Sequence, residues 1–301
     1  MRTGWGIAIL GFWVGISPAQ AKIQVYSALP TFAEIVAQVG GDAVNSFTLT
    51  AENLNPHSIE PKSDLIPRLQ KADLLVVSGL ELEVGWLPPM LIDSKNAGIQ
   101  RGTNGYLELS SAVKLKGVLA GEKLDLTRGD THPAGNPHYM LDPRNGVVVA
   151  HAIAARLALL DPPQAAEYNK RAGEFEKRLN GKIAVWEKVL KRFAGKSVVS
   201  YHAGWTYFIA WAGMEEIATI EIKPGVQATP ESVVTLIGLM KAKKCRLILM
   251  EPFEPNRVAQ RIAKKTKAQI VVARTEPGVS STPRSYIAVI DELIGKLARL
   301  H

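Results

Sequence analysis

The chain is poor in cysteine: Cys245 is the only one among 301 residues. A single thiol can form neither an internal disulfide nor a zinc finger with several cysteine ligands. No uncharged apolar run of about 18 residues lies inside the chain, which argues against a polytopic membrane protein. With 47% hydrophobic and 21% charged residues, the composition is that of a globular protein, and the length suggests about two domains.

Several enzyme motifs are also missing. The sequence contains no His-Glu-x-x-His pair, no Gly-x-Ser-x-Gly elbow and no glycine-rich phosphate loop. Glu81 and Glu83 are two residues apart, and this spacing does not indicate an acid-base pair. The motifs of the common hydrolases and nucleotide-binding enzymes are therefore absent.

The charge pattern gives little support for a polyanionic partner. The formal net charge of +8 would suit binding to nucleic acid or to a membrane surface. The basic residues are scattered, however, and the two densest clusters, 241–244 and 264–267, lie at the ends of predicted helices. Cations at those positions complement the helix dipole. We therefore expect no nucleic-acid partner.

Residues 1–21 have the features of a cleavable secretory signal. Arg2 provides a basic start, an apolar run follows from 7 to 16, and the segment ends in Ala-Gln-Ala. The run is too short to span about 30 Å of hydrocarbon, which argues against a membrane anchor. We expect a mature chain that begins near Lys22, lies in a bacterial periplasm and carries no lipid, because no cysteine stands at the cleavage site.

After the signal, short apolar runs alternate with helical patterns, which predicts an α/β fold with parallel-type sheets. We predict strands at 23–27, 47–50, 74–78, 197–201, 246–250 and 269–273. We predict helices at 32–39, 64–71, 147–160, 206–212, 230–241, 256–266 and 285–300. The stretch from 102 to 137 is expected to be mostly loop, with one or two short strands.

Residues 164–193 differ from the rest. Apolar residues recur there at spacings of three and four, namely Tyr168, Ala172, Phe175, Leu179, Ile183, Trp186 and Leu190. This stripe keeps its register across Asn180 and Gly181, so we predict one helix about 45 Å long. Such a helix can brace two lobes rigidly. The predicted organisation is a signal at 1–21, an N-terminal lobe at 22–163, the linking helix at 164–193 and a C-terminal lobe at 194–301.

Three histidines follow predicted strands or open a helix. His57 and His138 each end an Asn-Pro-His tripeptide, and His202 directly follows the strand predicted at 197–201. In open α/β sheets ligands bind beyond the carboxyl ends of the strands, so these imidazoles could converge on one metal ion. Proline stiffens the turn before each of the first two. Glu276, after the last strand, could supply a carboxylate.

The other histidines and the cysteine have simpler interpretations. A lone histidine in a loop is more often structural than a ligand. His151 lies on a predicted helix and suits packing or surface roles, while His132 lies in a flexible loop and could scavenge metal weakly. His301 is terminal. Cys245 precedes a buried strand and is expected to be an inert core thiol.

Taken together, these segments resemble the metal-ion solute-binding proteins of bacterial ABC uptake systems, the zinc- and manganese-specific group. The resemblance runs over essentially the whole mature chain. Its motifs are Gly40-Gly41-Asp42, Asn55 to Pro61, Ser78-Gly79-Leu80 with Glu83 and Trp86-Leu87, Asn136-Pro137-His138 through Leu141-Asp142-Pro143, and Tyr201-His202 with Tyr207-Phe208. Each motif alone is weak, whereas the set is specific.

The resemblance implies two α/β lobes joined by one long helix. It also implies a metal ion held between the lobes by residues that match His57, His138 and His202, with Glu276 as the best match for a carboxylate. The family usually has Asp, a small residue and Gly where this chain has Glu-Pro-Gly. Many zinc-specific members carry a long histidine-rich acidic loop before the second ligand, and here that region contains only His132.

Three neutral imidazoles and one carboxylate suit Zn²⁺, although Mn²⁺ is a possible alternative. In the family, a histidine matching His202 is associated with zinc and a glutamate with manganese. The resemblance implies a monomeric periplasmic binding protein, not an enzyme. It would deliver zinc with high affinity to an ABC permease of the inner membrane and its ATPase.

Three alternatives remain at this point. One is a Mn²⁺- or Fe²⁺-specific binding protein of the same family. Another is a secreted zinc hydrolase, in which water would take the fourth position if Glu276 stays away from the metal. The third is an adhesin-like surface protein, against which the missing lipid-anchor cysteine argues.

Overall fold

The structure, a computed structural model, describes residues 21–51, 54–57, 59–60, 63–118, 132–221, 226–279 and 284–300. The predicted secretory signal lies outside these residues, apart from Ala21. Among the residues described, no helix is both long enough and apolar enough to cross a bilayer.

The N-terminal half contains a sheet of four parallel strands in the order β2-β1-β3-β4. The strands are β1 (Ile23–Ser27), β2 (Val44–Thr48), β3 (Leu74–Val77) and β4 (Tyr106–Glu108). The helices of this half are α1 (Pro30–Gly40), α2 (Ile66–Gln70), α3 (Leu87–Ser94) and α4 (Pro143–Leu160). Strand β3 is buried along its whole length, as its run of Leu and Val predicts for a central parallel strand.

The C-terminal half repeats this plan with a second parallel sheet in the order β6-β5-β7-β8. Its strands, after the linking helix α5 (Ala165–Leu190), are β5 (Ser197–Ser200), β6 (Glu215–Thr219), β7 (Leu247–Met250) and β8 (Gln269–Val272). Its helices are α6 (Thr206–Trp211), α7 (Pro230–Ala242), α8 (Asn256–Thr266) and α9 (Tyr286–Ala298). The predicted α/β architecture of two parallel-sheet lobes and a linking helix is confirmed.

Helix α5 is continuous, and every residue of its apolar stripe is buried. A Cβ added at Gly181 would meet no atom within 4 Å, so this glycine faces open space. Glycine in a helix costs about 1 kcal/mol relative to alanine. Burial of one large apolar side chain contributes about 2 kcal/mol. The free energy of burying the apolar stripe therefore outweighs the cost of the Asn-Gly pair in a helix, and the chain does not turn there.

Both faces of the second sheet are buried, each in a different core. Along β7, Leu247 and Leu249 pack into the core shared with the first lobe, whereas Ile248 and Met250 pack into a smaller core under α7 and α8. Alternate strand residues point to opposite faces, which explains this division. The last helix, α9, also packs into the larger core, where the Tyr286 hydroxyl donates to the Met140 carbonyl at 2.6 Å. The predicted domain boundaries remain predictions.

The second strand lies earlier in the chain than predicted. The sequence pattern predicts it at 47–50, and the structure places it at Val44–Thr48. Val44 pairs with Ile23 at the start of β1, and the pairing continues in register from there. The polar residues Asn45 and Ser46 interrupt the apolar pattern that predicts a strand. They are tolerated because β2 is an edge strand, whose polar residues can face solvent.

Two elements were not predicted at all. Strand β6 reads Glu-Glu-Ile-Ala-Thr and is also an edge strand, so it lacks the apolar run of a buried one. Helix α3 begins Leu-Pro-Pro, which resembles a helix-breaking sequence. Proline is in fact favoured in the first turn of a helix, where its missing N–H costs nothing.

Candidate metal centre

The predicted ligands lie at the carboxyl edges of both sheets. His202 follows the end of β5 by two residues, and Glu276 follows the end of β8 by four. His57 lies on the connection after β2, and His138 immediately precedes a 3₁₀ turn that leads into α4. Parallel strands deliver their following loops to one edge of a sheet, which is where ligands bind in α/β proteins. Residues that follow strands of both sheets line one small cavity between the two lobes, which we call the cleft.

His57, His138 and His202 form a compact cluster. One ligand atom from each lies within 4.8 Å of those of the other two. The Nε2 atoms of His57 and His138 are 3.1 Å apart, and His202 has its ring centroid 5.3 Å from each of theirs. All three residues are partly buried. Side chains far apart in the sequence are thus brought together at short range.

The two Asn-Pro-His tripeptides form the same local turn. The Asn55 side-chain oxygen accepts a hydrogen bond from the backbone N–H of His57 at 3.0 Å. The Asn136 oxygen accepts from the N–H of His138 at 2.9 Å. This Asx turn fixes the backbone at each histidine. Sequence reasoning assigned the stiffness to proline and missed the contribution of asparagine.

Buried aromatic and hydroxyl side chains anchor both turns. The Trp86 indole donates to the Pro56 carbonyl at 3.2 Å, and the Ser78 hydroxyl donates to the Pro137 carbonyl at 3.3 Å. The Tyr207 hydroxyl donates to the Asn136 carbonyl at 3.1 Å. Since Trp86, Ser78 and Tyr207 are themselves fully buried, the histidines project from a rigid support.

Gly204 allows the second and third histidines to approach each other. A Cβ added there would lie 3.3 Å from Cδ2 of His202 and 3.4 Å from Cδ2 of His138. These are tight contacts, so a side chain at this position would push the imidazoles aside. The absence of a side chain at Gly204 is part of how the cluster forms.

Hydrogen bonds determine which ring nitrogen carries the proton in two of the histidines. The Nδ1 atom of His138 lies 3.0 Å from the Asn136 oxygen, and the Asn136 amide NH₂ donates to the Ala203 carbonyl at 2.7 Å. The Nδ1 atom of His202 lies 2.9 Å from a Glu221 oxygen. These oxygens are acceptors, so Nδ1 carries the hydrogen and Nε2 keeps its lone pair. Glu221 was not predicted from the sequence, although it closely follows β6.

Burial keeps His57 and His138 uncharged at neutral pH. It lowers the pKa of both His57 and His138 well below 6.5, and the neighbouring histidines act in the same direction. Burial likewise lowers the pKa of His132 to about 4. Neutral imidazole is the form that binds metal. These groups are therefore ready to bind a cation at neutral pH without losing a proton.

Glu276 lies beside the cluster but is not one of the three residues that form it. Its carboxylate accepts a hydrogen bond from the Thr31 backbone N–H at 2.8 Å. It lines a cavity of about 40 Å³ together with His138, Glu251 and Thr275. Burial, with a smaller contribution from the nearby Glu251, raises the pKa of Glu276 to about 7. Its role as a ligand remains a prediction.

Two more buried carboxyl groups lie near the cleft and were not predicted. Glu251 directly follows β7, and the Thr275 hydroxyl donates to it at 2.6 Å. Glu254 accepts from the Glu251 backbone N–H at 2.6 Å. Burial raises the pKa of Glu251 to about 7 and that of Glu254 to about 9. Their position after a buried strand was the signal that could have revealed them.

The remaining candidates lie elsewhere, except for His132. His151 pairs with Glu176 at 2.8 Å, and both side chains are partly exposed. Cys245 is buried and donates weakly to the Ser197 carbonyl at 3.3 Å. His132 was predicted to lie in a flexible loop as a weak scavenger, but its ring centroid lies 5.1 Å from that of His57. His301 lies outside the described residues.

A known protein family matches most of the length of this chain. Residues 25–300 match the family model described as "ZnuA: Zinc-uptake complex component A periplasmic". The chain belongs to the ZnuA family. The resemblance inferred from the motifs is thereby confirmed.

Curated relatives are distant in sequence, but their matches cover most of both chains. The chain is 22% identical over 288 residues to the iron-binding protein YfeA of Yersinia pestis, a match that covers 94% of this chain and 88% of YfeA. It is 22% identical over 254 residues to the manganese ABC transporter substrate-binding lipoprotein PsaA of Streptococcus pneumoniae, covering 83% and 78% of the two chains. These relatives are named for different metals.

Solved structures show the same fold. A manganese-bound periplasmic metal-binding protein from Candidatus Liberibacter asiaticus matches with a TM-score of 0.76 at 20% identity. A crystal structure of ZnuA matches with a TM-score of 0.73, also at 20% identity. Each match covers 92% of this chain and 98% of the other. At this identity the likeness concerns the fold of the ZnuA family and not the metal.

Proposed function

We propose that this chain binds one Zn²⁺ ion in the periplasm and delivers it to the permease and ATPase of an ABC uptake transporter. Family membership makes the chain a metal-binding, substrate-binding component of such a transporter. The observation that carries the choice of site is the pair of Nε2 atoms, in His57 and His138, 3.1 Å apart. Two lone pairs at that distance repel each other, and a cation between them removes the repulsion.

The spacing suits a small tetrahedral ion. Zn–N bonds of about 2.05 Å at a tetrahedral angle separate two nitrogens by about 3.3 Å. The observed 3.1 Å is close to this value. We propose that His57, His138 and His202 bind the ion through Nε2 and that Glu276, which shares a cavity with His138, completes the coordination.

The donor set favours zinc over manganese. Three of the four proposed ligands are imidazoles, whereas Mn²⁺ prefers sites rich in oxygen. Glu221, which contacts His202, is hydrogen-bonded to Nδ1 of that ring and not to the nitrogen proposed to bind the ion. A site specific for Mn²⁺ or Fe²⁺, as the names of PsaA and YfeA indicate for those proteins, is the runner-up.

A hydrolytic zinc site is the alternative from a different class. Catalytic zinc keeps one position open for water, whereas a carrier surrounds its ion. Buried carboxyl groups of Glu276 and Glu251 line the cavity next to His138, so a fourth protein ligand is close at hand. This supports a binding protein and not an enzyme. We propose no nucleic-acid partner and a monomeric chain.

Thermal unfolding tests this proposal. We expect Zn²⁺ to raise the melting temperature of the chelator-stripped protein. At about a thousand times Kd, a ligand that binds only the native state adds about 4 kcal/mol. For a chain of this size that corresponds to a shift of about 10 °C. Mn²⁺ at the same free concentration should shift the transition much less, and Mg²⁺ should leave it unchanged. An unaltered transition in excess zinc contradicts the proposal, and a larger shift with manganese supports the runner-up.

A further inference from the structure

His132 contacts the cluster through one nitrogen and the backbone through the other. Its Nδ1 atom lies 2.6 Å from the carbonyl oxygen of Leu80. Its Nε2 atom lies 3.3 Å from Nδ1 of His57. The ring thus bridges a loop carbonyl and the nitrogen of His57 that does not face His138.

These two contacts determine where the protons are. A carbonyl oxygen only accepts, so Nδ1 of His132 must carry the hydrogen. A neutral imidazole has one N–H, which leaves Nε2 of His132 as an acceptor. The partner atom, Nδ1 of His57, must then be the donor. With its hydrogen on Nδ1, His57 presents the lone pair of Nε2 toward His138.

The carbonyl that begins this chain of hydrogen bonds is held by an unusual turn. Leu80 and Glu81 both have positive φ angles, 54° and 60°, which are rare for residues with side chains. Glu83 holds the turn, because its carboxylate accepts from the backbone N–H groups of Ser78 at 2.7 Å and Gly79 at 3.2 Å. Backbone strain of this kind persists where the surroundings enforce it, commonly at functional sites. Here it aims the Leu80 carbonyl at His132.

We propose that His132 is a positioning residue of the metal centre, acting through His57 to fix its tautomer and the orientation of its ring. This inference rests on the proposed function and deepens it. It completes a pattern, since Asn136 accepts from His138 and Glu221 accepts from His202. His132 is the corresponding acceptor for His57. Partners of this kind hold metal-binding histidines in register, and their loss commonly weakens metal binding about 10- to 100-fold.

Two substitutions separate the two contacts of His132. His132→Asn keeps an amide near the Nδ1 position, able to donate to Leu80, but removes the acceptor for His57. His132→Gln places its amide oxygen near the Nε2 position and so keeps that acceptor. We expect the Asn variant to lose about 10- to 100-fold in Zn²⁺ affinity and the Gln variant to lose much less. His151→Asn, at a partly exposed histidine outside the cluster, is the matched control and should bind like the parent.

Long-range ¹H–¹⁵N NMR of the histidine rings in the metal-free protein provides a readout that does not depend on any ion. We expect His57 to be protonated at Nδ1 in the parent and in His132→Gln, and to shift toward the Nε2–H form in His132→Asn. An unchanged tautomer and unchanged affinity in His132→Asn overturn the proposal. Equal affinity losses in both variants also overturn it, because they identify His132 as a direct ligand. If the parent binds no zinc, the proposed function fails, while the tautomer measurement still decides the role of His132.

Discussion

We expect the replacement of either His57 or His138 by alanine to lower the affinity for Zn²⁺ by more than about 100-fold. Loss of a group that merely orients a ligand commonly weakens binding about 10- to 100-fold, and loss of a ligand itself exceeds that range. The two Nε2 atoms are 3.1 Å apart. Each substitution therefore removes one nitrogen of the closest pair of proposed ligand atoms. Competition with a chromophoric chelator measures the change.

The matched control is His151→Ala. His151 is another histidine of this chain, but it pairs with Glu176 away from the cleft. We expect its replacement to leave zinc affinity unchanged. An equal loss at all three positions would mean that histidine content, and not the cluster, determines binding.

We expect zinc affinity to fall about tenfold between pH 8 and pH 6, and Glu276→Gln to remove most of this dependence. The sign follows from the pKa of about 7 that burial gives Glu276. Below that pH the carboxyl holds a proton, which a metal must displace, at a cost of up to about tenfold per pH unit. His57 and His138 do not produce the slope, since burial lowers their pKa values well below 6.5. Calorimetric titrations at several pH values provide the affinities.

Glu251→Gln is the control for this second prediction. Glu251 lines the same cavity, and burial raises its pKa to about 7 as well. If Glu276 binds the ion, the Glu251 variant keeps a pH dependence of similar size, moved to slightly lower pH because Glu251 no longer raises the pKa of Glu276. If instead the Glu251 variant loses it and the Glu276 variant keeps it, the fourth ligand has been wrongly assigned. If the pH dependence of zinc affinity survives in both variants, neither carboxylate is a ligand of the ion.

The sequence was most informative where the signal is local and repeated. The linking helix was predictable because its apolar stripe from Tyr168 to Leu190 satisfies the helical period by itself. His57 and His138 stood out because the same stiff pair of residues precedes both. The edge strands β2 and β6 were misplaced or missed because their polar residues leave no continuous apolar run.

The parts of the site that depend on tertiary contacts were not predictable. His132 is 75 residues from His57, and only the folded chain shows that their rings meet. Glu221 is near His202 because β6 lies beside β5, and β6 itself had no sequence signal. The position of Glu276 next to the cluster likewise depends on how the two lobes meet at the cleft, which no local pattern encodes.

Anomalous diffraction from crystals of the zinc-loaded protein, recorded on both sides of the zinc absorption edge, locates the bound ion. We expect one strong zinc peak per chain in the cleft, about 2.0–2.1 Å from Nε2 of His57, His138 and His202. A principal zinc peak elsewhere, for example between His151 and Glu176, or a cleft without zinc at full loading, would contradict this expectation.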